Sequence, residues 1–149
     1  MTGVDQGGEK PPAAPDGAVE LSPEKERRGR VLIVEDNWLI AVELESVLEE
    51  AGYAVVGLAM SADEAVEMGA AQRPDLVLMD IRLRGDRDGI DAATELRDRY
   101  DVPSVFTTAH GEPETRARGQ AARPLGWIIK PITGADLVLR LDEIQRAGP

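Results

Sequence analysis

The run RPDLVLMDIRLRG, residues 73–85, drives four consecutive apolar side chains, Leu76 to Met79, straight into a carboxylate, Asp80. An apolar run of that length, bounded by Pro74 and Gly85, reads as a strand buried on both faces. An acid at the end of such a strand is out of place unless it does something. Three other apolar runs end in the same manner. RVLIVED closes on Glu35 and Asp36, PSVFTTA on Thr107 and Thr108, and LGWIIK on Lys130. Carboxylates brought to one place repel, by about 4 kcal/mol for a pair 4 Å apart at an effective dielectric of ~20. Such a group suits a hard divalent ion with oxygen ligands, and Mg²⁺ takes one or two carboxylates while keeping several waters. Lys130 adds a further cation. A carboxylate flanked by Mg²⁺ and an ammonium is a competent nucleophile toward phosphorus, because the cations neutralise the transferring oxygens. A hydroxyl from Thr107 or Thr108 could then hydrogen-bond the transferred group.

The elements that would bring these ends together alternate along the chain. Strands are expected at RVLIVED, YAVVGLA, DLVLMD, PSVFTTA and LGWIIK. Between and after them lie five helical patterns. NWLIAVELESVLEEAG places Ile40, Leu44, Val47, Leu48 and Ala51 on one face, with Gly52 as a stop. Ser61 and Glu64 suggest a capping box opening SADEAVEMGAAQ. GIDAATELRDRY turns Ile90, Ala93 and Leu96 inward, and EPETRARGQAA is a weak helix interrupted by Gly119. The last helix, TGADLVLRLDEIQRA, starts from Thr133 as cap with Asp136 completing an approximate box. Strands alternating with helices imply right-handed crossovers and a doubly wound α/β fold with a five-stranded parallel sheet. Ligands bind such sheets outside the carboxyl ends of the strands, where the winding reverses. All four polar strand ends fall on that edge.

Composition narrows the class. At 149 residues the chain holds about one domain. Residues 1–29 are rich in Gly, Pro and polar side chains and read as a solvated tail, in which Ser22 and Pro23 could open a short helix. The folded domain is expected over 30–149. A formal net charge of −11 argues against nucleic acid or anionic lipid as partner. Neither a signal peptide nor an apolar run of membrane-spanning length is present, and with no cysteine the chain suits a reducing interior, so a cytoplasmic location is expected.

VLIVEDN, LVLMDIRLRGDRDGIDA, VFTTAHGE and GWIIKPI together resemble the receiver domain of bacterial two-component response regulators. The likeness runs from Arg30 to Ala147. It implies a flavodoxin-like (βα)5 fold with Asp80 as phosphoacceptor and Mg²⁺ as cofactor. Asp36 would be the direct ligand, Glu35 would act mainly through water, and the Arg82 backbone carbonyl would complete the set. Thr108, followed by the small Ala109, falls at the switch hydroxyl. Lys130 resembles the lysine that contacts the phosphoryl group, and its peptide bond to Pro131 is expected to be cis. Trp127 occupies the place of the switch aromatic, although a core-filling role is equally open. His110 either lines the pocket mouth or is an exposed loop residue, and Trp38 either shields the pocket or packs under the tail.

Two departures stand out. Arg84 occupies a position where the family usually has proline, and the loop to Gly89 is one residue longer. That loop resembles receivers partnered with HWE-type and related histidine kinases of α-proteobacteria. The chain ends just past the fifth helix, so the expectation is a stand-alone regulator, monomeric or weakly dimeric. It would take a phosphoryl group from a sensor histidine kinase and switch contacts with an unknown protein target, or drain a shared kinase as a phosphate sink. It would not be an enzyme with an external substrate. The alternative is a receiver-like scaffold that binds partners without phosphorylation. An aspartyl phosphatase would want a second acid where Arg82 stands, and a flavin-phosphate site would be repelled by the acidic EDN turn.

Overall fold

The computed structural model describes residues 28–147. Of the tail expected over 1–29, residues 1–27, including the helix opened by Ser22, lie outside the described residues. Arg28 and Gly29 already belong to the fold, Arg28 pairing with Asp142 and the Gly29 carbonyl accepting the Ala54 N–H. Strands β1 (Arg30–Val34), β2 (Ala54–Ala59), β3 (Leu76–Asp80), β4 (Ser104–Thr108) and β5 (Gly126–Ile129) form one parallel sheet. Helices α1 (Trp38–Glu50), α2 (Ala62–Gln72), α3 (Gly89–Tyr100), α4 (Pro113–Gly119) and α5 (Gly134–Ala147) alternate with them, and a 3₁₀ turn (Gln120–Ala122) follows α4. The spatial order β2-β1-β3-β4-β5 reverses direction between β1 and β3, which puts the expected crevice at the ends of those two strands.

Strand alternation builds two cores. Leu32, Val34, Val77, Met79, Phe106 and Trp127 face α2 and α3, where Ala65 and Leu96 meet them. Val31, Ile33, Leu76, Leu78, Val105 and Ile128 face the other way, against Leu48 of α1 and Leu137, Leu141 and Ile144 of α5. Because both faces are covered, β1 and β3 are apolar at successive positions, Val31–Val34 and Leu76–Met79, whichever face each side chain meets. None of the helices among the described residues is long and apolar enough to cross a membrane.

Local signals needed correction at two points. Ile40, expected inward, is 39% exposed, while its neighbour Ala41 is fully buried. Leu44, Val47, Leu48 and Ala51 pack inward as expected, and it is Ala41, not Ile40, that begins the row, because a small side chain lets the helix lie closer to the sheet. At α2, Ser61 Oγ accepts from the Glu64 N–H at 3.2 Å as a cap should. The Glu64 carboxylate, however, reaches back to the Met60 N–H at 2.7 Å rather than to Ser61. The reciprocal capping box lies instead on α3, between Asp88 and Asp91, each accepting the other's N–H at 3.0 Å. At α5 the Thr133 hydroxyl accepts from the Asp136 N–H at 3.1 Å, as expected for the cap.

Candidate functional site at the carboxyl edge of the sheet

Each polar strand end is held by its local chemistry. After β1, the Glu35 carboxylate accepts the Asn37 N–H at 3.1 Å, and Asn37 Oδ1 in turn accepts from the Ile40 N–H at 3.2 Å. The EDN triplet thus turns the chain from strand into α1 and fixes both acids beside β3. After β3, the Arg82 N–H donates to Asp80 Oδ1 at 3.2 Å, leaving Oδ2 free to face the pocket. The chain returns over this strand tightly. Gly89, the first residue of α3, donates to the Ile81 carbonyl at 2.8 Å. A Cβ on Gly89 would lie 2.1 Å from the Asp80 carbonyl oxygen, so only glycine fits.

The sheet register brings the acids together. Val34 pairs with Met79, so Glu35 and Asp36 follow alongside Asp80. One carboxylate oxygen from each of Glu35, Asp36 and Asp80 lies within 4.8 Å of the others. Lys130 Nζ stands 3.5 Å from Asp80 Oδ2 and 3.7 Å from Glu35 Oε1, and the Lys130–Pro131 peptide bond is cis. Asp80 and Glu35 are only 6% and 4% exposed. Burial raises both above the ordinary carboxylate range. For Glu35 the neighbouring Asp80 charge adds to the rise, while for Asp80 the Lys130 ammonium opposes it. Lys130, with the exposed Arg84 at 3.7 Å from Asp36, does not balance three acids, and the donor set, all carboxylate oxygen, is of the kind a hard divalent cation takes.

The other predicted residues are placed as follows. Thr107 pairs with Asp80 across the sheet, and its carbonyl accepts the Ile81 N–H. Thr108 is buried at the strand end, but its hydroxyl is engaged locally. It donates to the His110 carbonyl at 2.9 Å and accepts the His110 N–H at 3.2 Å. The His110 side chain is exposed. Trp38 opens α1 immediately after the EDN turn and is 56% exposed. Trp127 is nearly buried, its ring 4.9 Å from that of Phe106. A Cβ on Gly119 would lie 2.6 Å from the indole edge, and the Arg116 guanidinium stacks over the ring at 4.9 Å. Trp127 therefore packs as a wedge beneath α4.

Sequence reasoning missed three charged contacts around this site. Arg84 Nε approaches Asp36 Oδ2 at 3.7 Å. Arg118 of α4 holds Asp88 at 2.7 Å and Asp91 at 3.4 Å, tying α4 to the cap of α3. Arg87 pairs with Asp63 at 3.1 Å and with Glu95. The partners in each lie on different segments, so no local pattern announces them.

The pattern described as the response regulator receiver domain matches residues 31–142. The chain belongs to this family. The receiver is 40% identical over 109 residues to the transcriptional regulatory protein PdtaR of Mycobacterium tuberculosis, covering 73% of this chain and 53% of PdtaR. It is 38% identical over 108 residues to the phyllosphere-induced regulator PhyR of Methylorubrum extorquens, covering 72% of this chain and 40% of PhyR. The chain thus spans about half the length of these curated relatives or less. Among solved structures it is similar to the signal receiver domain of a modulated diguanylate cyclase from Desulfovibrio desulfuricans G20. That likeness has a TM-score of 0.72 at 34% identity and covers 80% of the receiver and 94% of the other chain. The receiver fold, the phosphorylation-based signalling class and the metal-compatible acidic group agree with membership.

Proposed function

We propose that this receiver accepts a phosphoryl group on Asp80 from the phosphohistidine of a sensor histidine kinase, in a magnesium-dependent reaction, and thereby changes its contacts with a partner protein. The observation that carries the reading is the convergence of Glu35, Asp36 and Asp80 with Lys130 at one buried sheet edge. Magnesium would be held by Glu35, Asp36, Asp80 and the Arg82 carbonyl, and when bound would supply charge that neutralises the transferring oxygens.

The chain's own groups do the rest. Asp80 Oδ2, the oxygen not bonded to Arg82, is the nucleophile. Its bond to phosphorus forms as the donor's P–N bond breaks, and the electron pair of that bond stays on the imidazole nitrogen. Lys130 exchanges a bare carboxylate for the phosphoryl oxygens and keeps an ion pair throughout. The Thr108 hydroxyl leaves the His110 carbonyl and donates to a phosphoryl oxygen, drawing the β4–α4 loop inward. Movement there reaches α4, which Arg116 couples to Trp127 and Arg118 couples to Asp88. With Trp127 wedged against Phe106 and Gly119, displacement of α4 is the natural output, in preference to rotation of the indole. Driving a 1:99 population to 99:1 requires about 5.5 kcal/mol of preference for the active form. The longer loop bearing Arg84 favours HWE-type and related kinases as donors.

The test is incubation with acetyl phosphate and Mg²⁺, followed by intact-mass measurement and tryptophan emission. The expected result is one phosphoryl group per chain, abolished by EDTA, with an emission change in step. A chain that binds its kinase yet never gains the mass would instead be a phosphorylation-independent scaffold.

A further inference from the structure

We infer that Arg84 is a built-in competitor for the metal: its guanidinium, 3.7 Å from Asp36 Oδ2, must be repelled or displaced before a divalent cation settles there. The inference rests on the metal-dependent reading above and concerns a residue that reading does not use.

The distribution of charge at the pocket is the first ground. Lys130 serves Asp80 and Glu35, at 3.5 and 3.7 Å. No ion pair from Lys130 to Asp36 is formed among the described residues, and the cation beside Asp36 is Arg84, at 3.7 Å. Two cations thus divide three acids between them, each at a distance longer than a tight charge-assisted hydrogen bond of about 2.8 Å. Lys130 is part of the sheet end and two-thirds covered, whereas the Arg84 side chain is 88% exposed. The arginine is the cation that can leave.

How the loop is anchored is the second ground. Before Arg84, the Arg82 N–H is bonded to Asp80 Oδ1. After it, Arg87 is held by Asp63 and Glu95, and the Gly89 N–H by Ile81. Arg84 therefore hangs from a short span fixed at both ends, which keeps its charge near the pocket mouth although the side chain itself is exposed. Gly85 follows it at φ +104° with open space around its would-be Cβ. Beside this span, Ser61, Asp63, Arg84, Asp86 and Arg87 border a cavity of about 360 Å³ into which the side chain can withdraw. A fixed span, a permissive glycine and adjacent free volume are what a swinging cation needs.

The consequence is a weakened resting affinity for magnesium, and so a receiver that loads metal most readily when something else draws Arg84 away. An incoming donor phosphoryl group, being anionic, would do so. Mg²⁺ titration of the full chain, followed by tryptophan emission and by calorimetry at low ionic strength, tests the idea. Arg84→Gln is expected to tighten Mg²⁺ binding roughly three- to tenfold, the scale for removing one positive charge several ångströms from a divalent ion in a largely aqueous setting. Arg84→Glu should tighten it further, and Arg84→Lys should stay within about twofold of the parent. The gap between Arg84→Gln and the parent should shrink as salt is raised. Unchanged or weaker binding in Arg84→Gln, with the parent binding Mg²⁺ and Asp36→Ala failing to, would overturn the role of Arg84 alone. No Mg²⁺ binding by the parent would overturn the metal-dependent reading and this inference with it.

Discussion

The two edges of the sheet treat buried polar groups in opposite ways. At the amino edge, the fully buried Tyr53 donates its hydroxyl to Asp142 Oδ1 at 2.6 Å and lies 3.0 Å from Gln145 Oε1. Arg28 then meets both oxygens of Asp142, at 3.0 and 2.8 Å. One anion has one cation, the bonds are short, and burial beside Asp142 pushes the phenol well above its usual range, so it stays neutral. At the carboxyl edge three acids share ion pairs of 3.5 to 3.7 Å with Lys130 and Arg84. The first cluster is satisfied and holds α5 to the start of β2. The second is left short of positive charge and gains from a cation that arrives. A completed polar network stabilises a fold, while an incomplete one at a sheet edge is available for chemistry.

Substitution breaks the contrast most sharply at Asp80. Asp80→Asn should eliminate phosphoryl acceptance from a kinase or acetyl phosphate, read as no mass gain, while circular dichroism stays native. Next in size, Asp142→Ala at the satisfied edge should cost about 1–3 kcal/mol in denaturant unfolding, since it leaves the Tyr53 hydroxyl and Arg28 without their acceptor. Gly89→Ala should lose about as much, because its Cβ collides with the Asp80 carbonyl.

A smaller effect of opposite sign is expected at the acidic edge. In metal-free buffer near neutral pH, Asp80→Asn should unfold at the same denaturant concentration as the parent or a higher one, by up to about 1 kcal/mol. The sign follows from linkage. Burial holds Asp80 and Glu35 above their unfolded values, so the folded chain binds more protons than the unfolded one once pH exceeds the ordinary carboxylate range. Stability is then lost as pH rises through the raised values. The same protons oppose magnesium, and its affinity should fall as pH is lowered through that window, measurable by calorimetry in buffers of different ionisation enthalpy.

What the sequence made legible was the part governed by runs and endings. Apolar runs closing on Glu35–Asp36, Asp80, Thr108 and Lys130 located the strands, and the alternation with helices located the edge where they meet. Ile40 misled because hydrophobicity ranks it above Ala41, whereas the helix needs the smaller residue where it lies close to the sheet. Asp88 and Asp91 carry the same readable signal as Ser61 and Glu64, a capping side chain and an acid three residues on. Gly119 looked like a helix breaker, and its role, clearance for the Trp127 indole, depends on a ring on another element. The Tyr53–Asp142 cluster and the Arg84–Asp36 pair join residues 89 and 48 positions apart, and only the fold brings them together.

Reduction of the phosphorylated receiver with borohydride, followed by peptide mapping, addresses the central claim at the level of a single atom. An aspartyl phosphate is converted to homoserine where it stood, and the account predicts that conversion at position 80 alone, in samples treated with donor and Mg²⁺ and not in those treated with EDTA. Homoserine at another aspartate, or a phosphoryl group that resists borohydride and persists without metal, would contradict it.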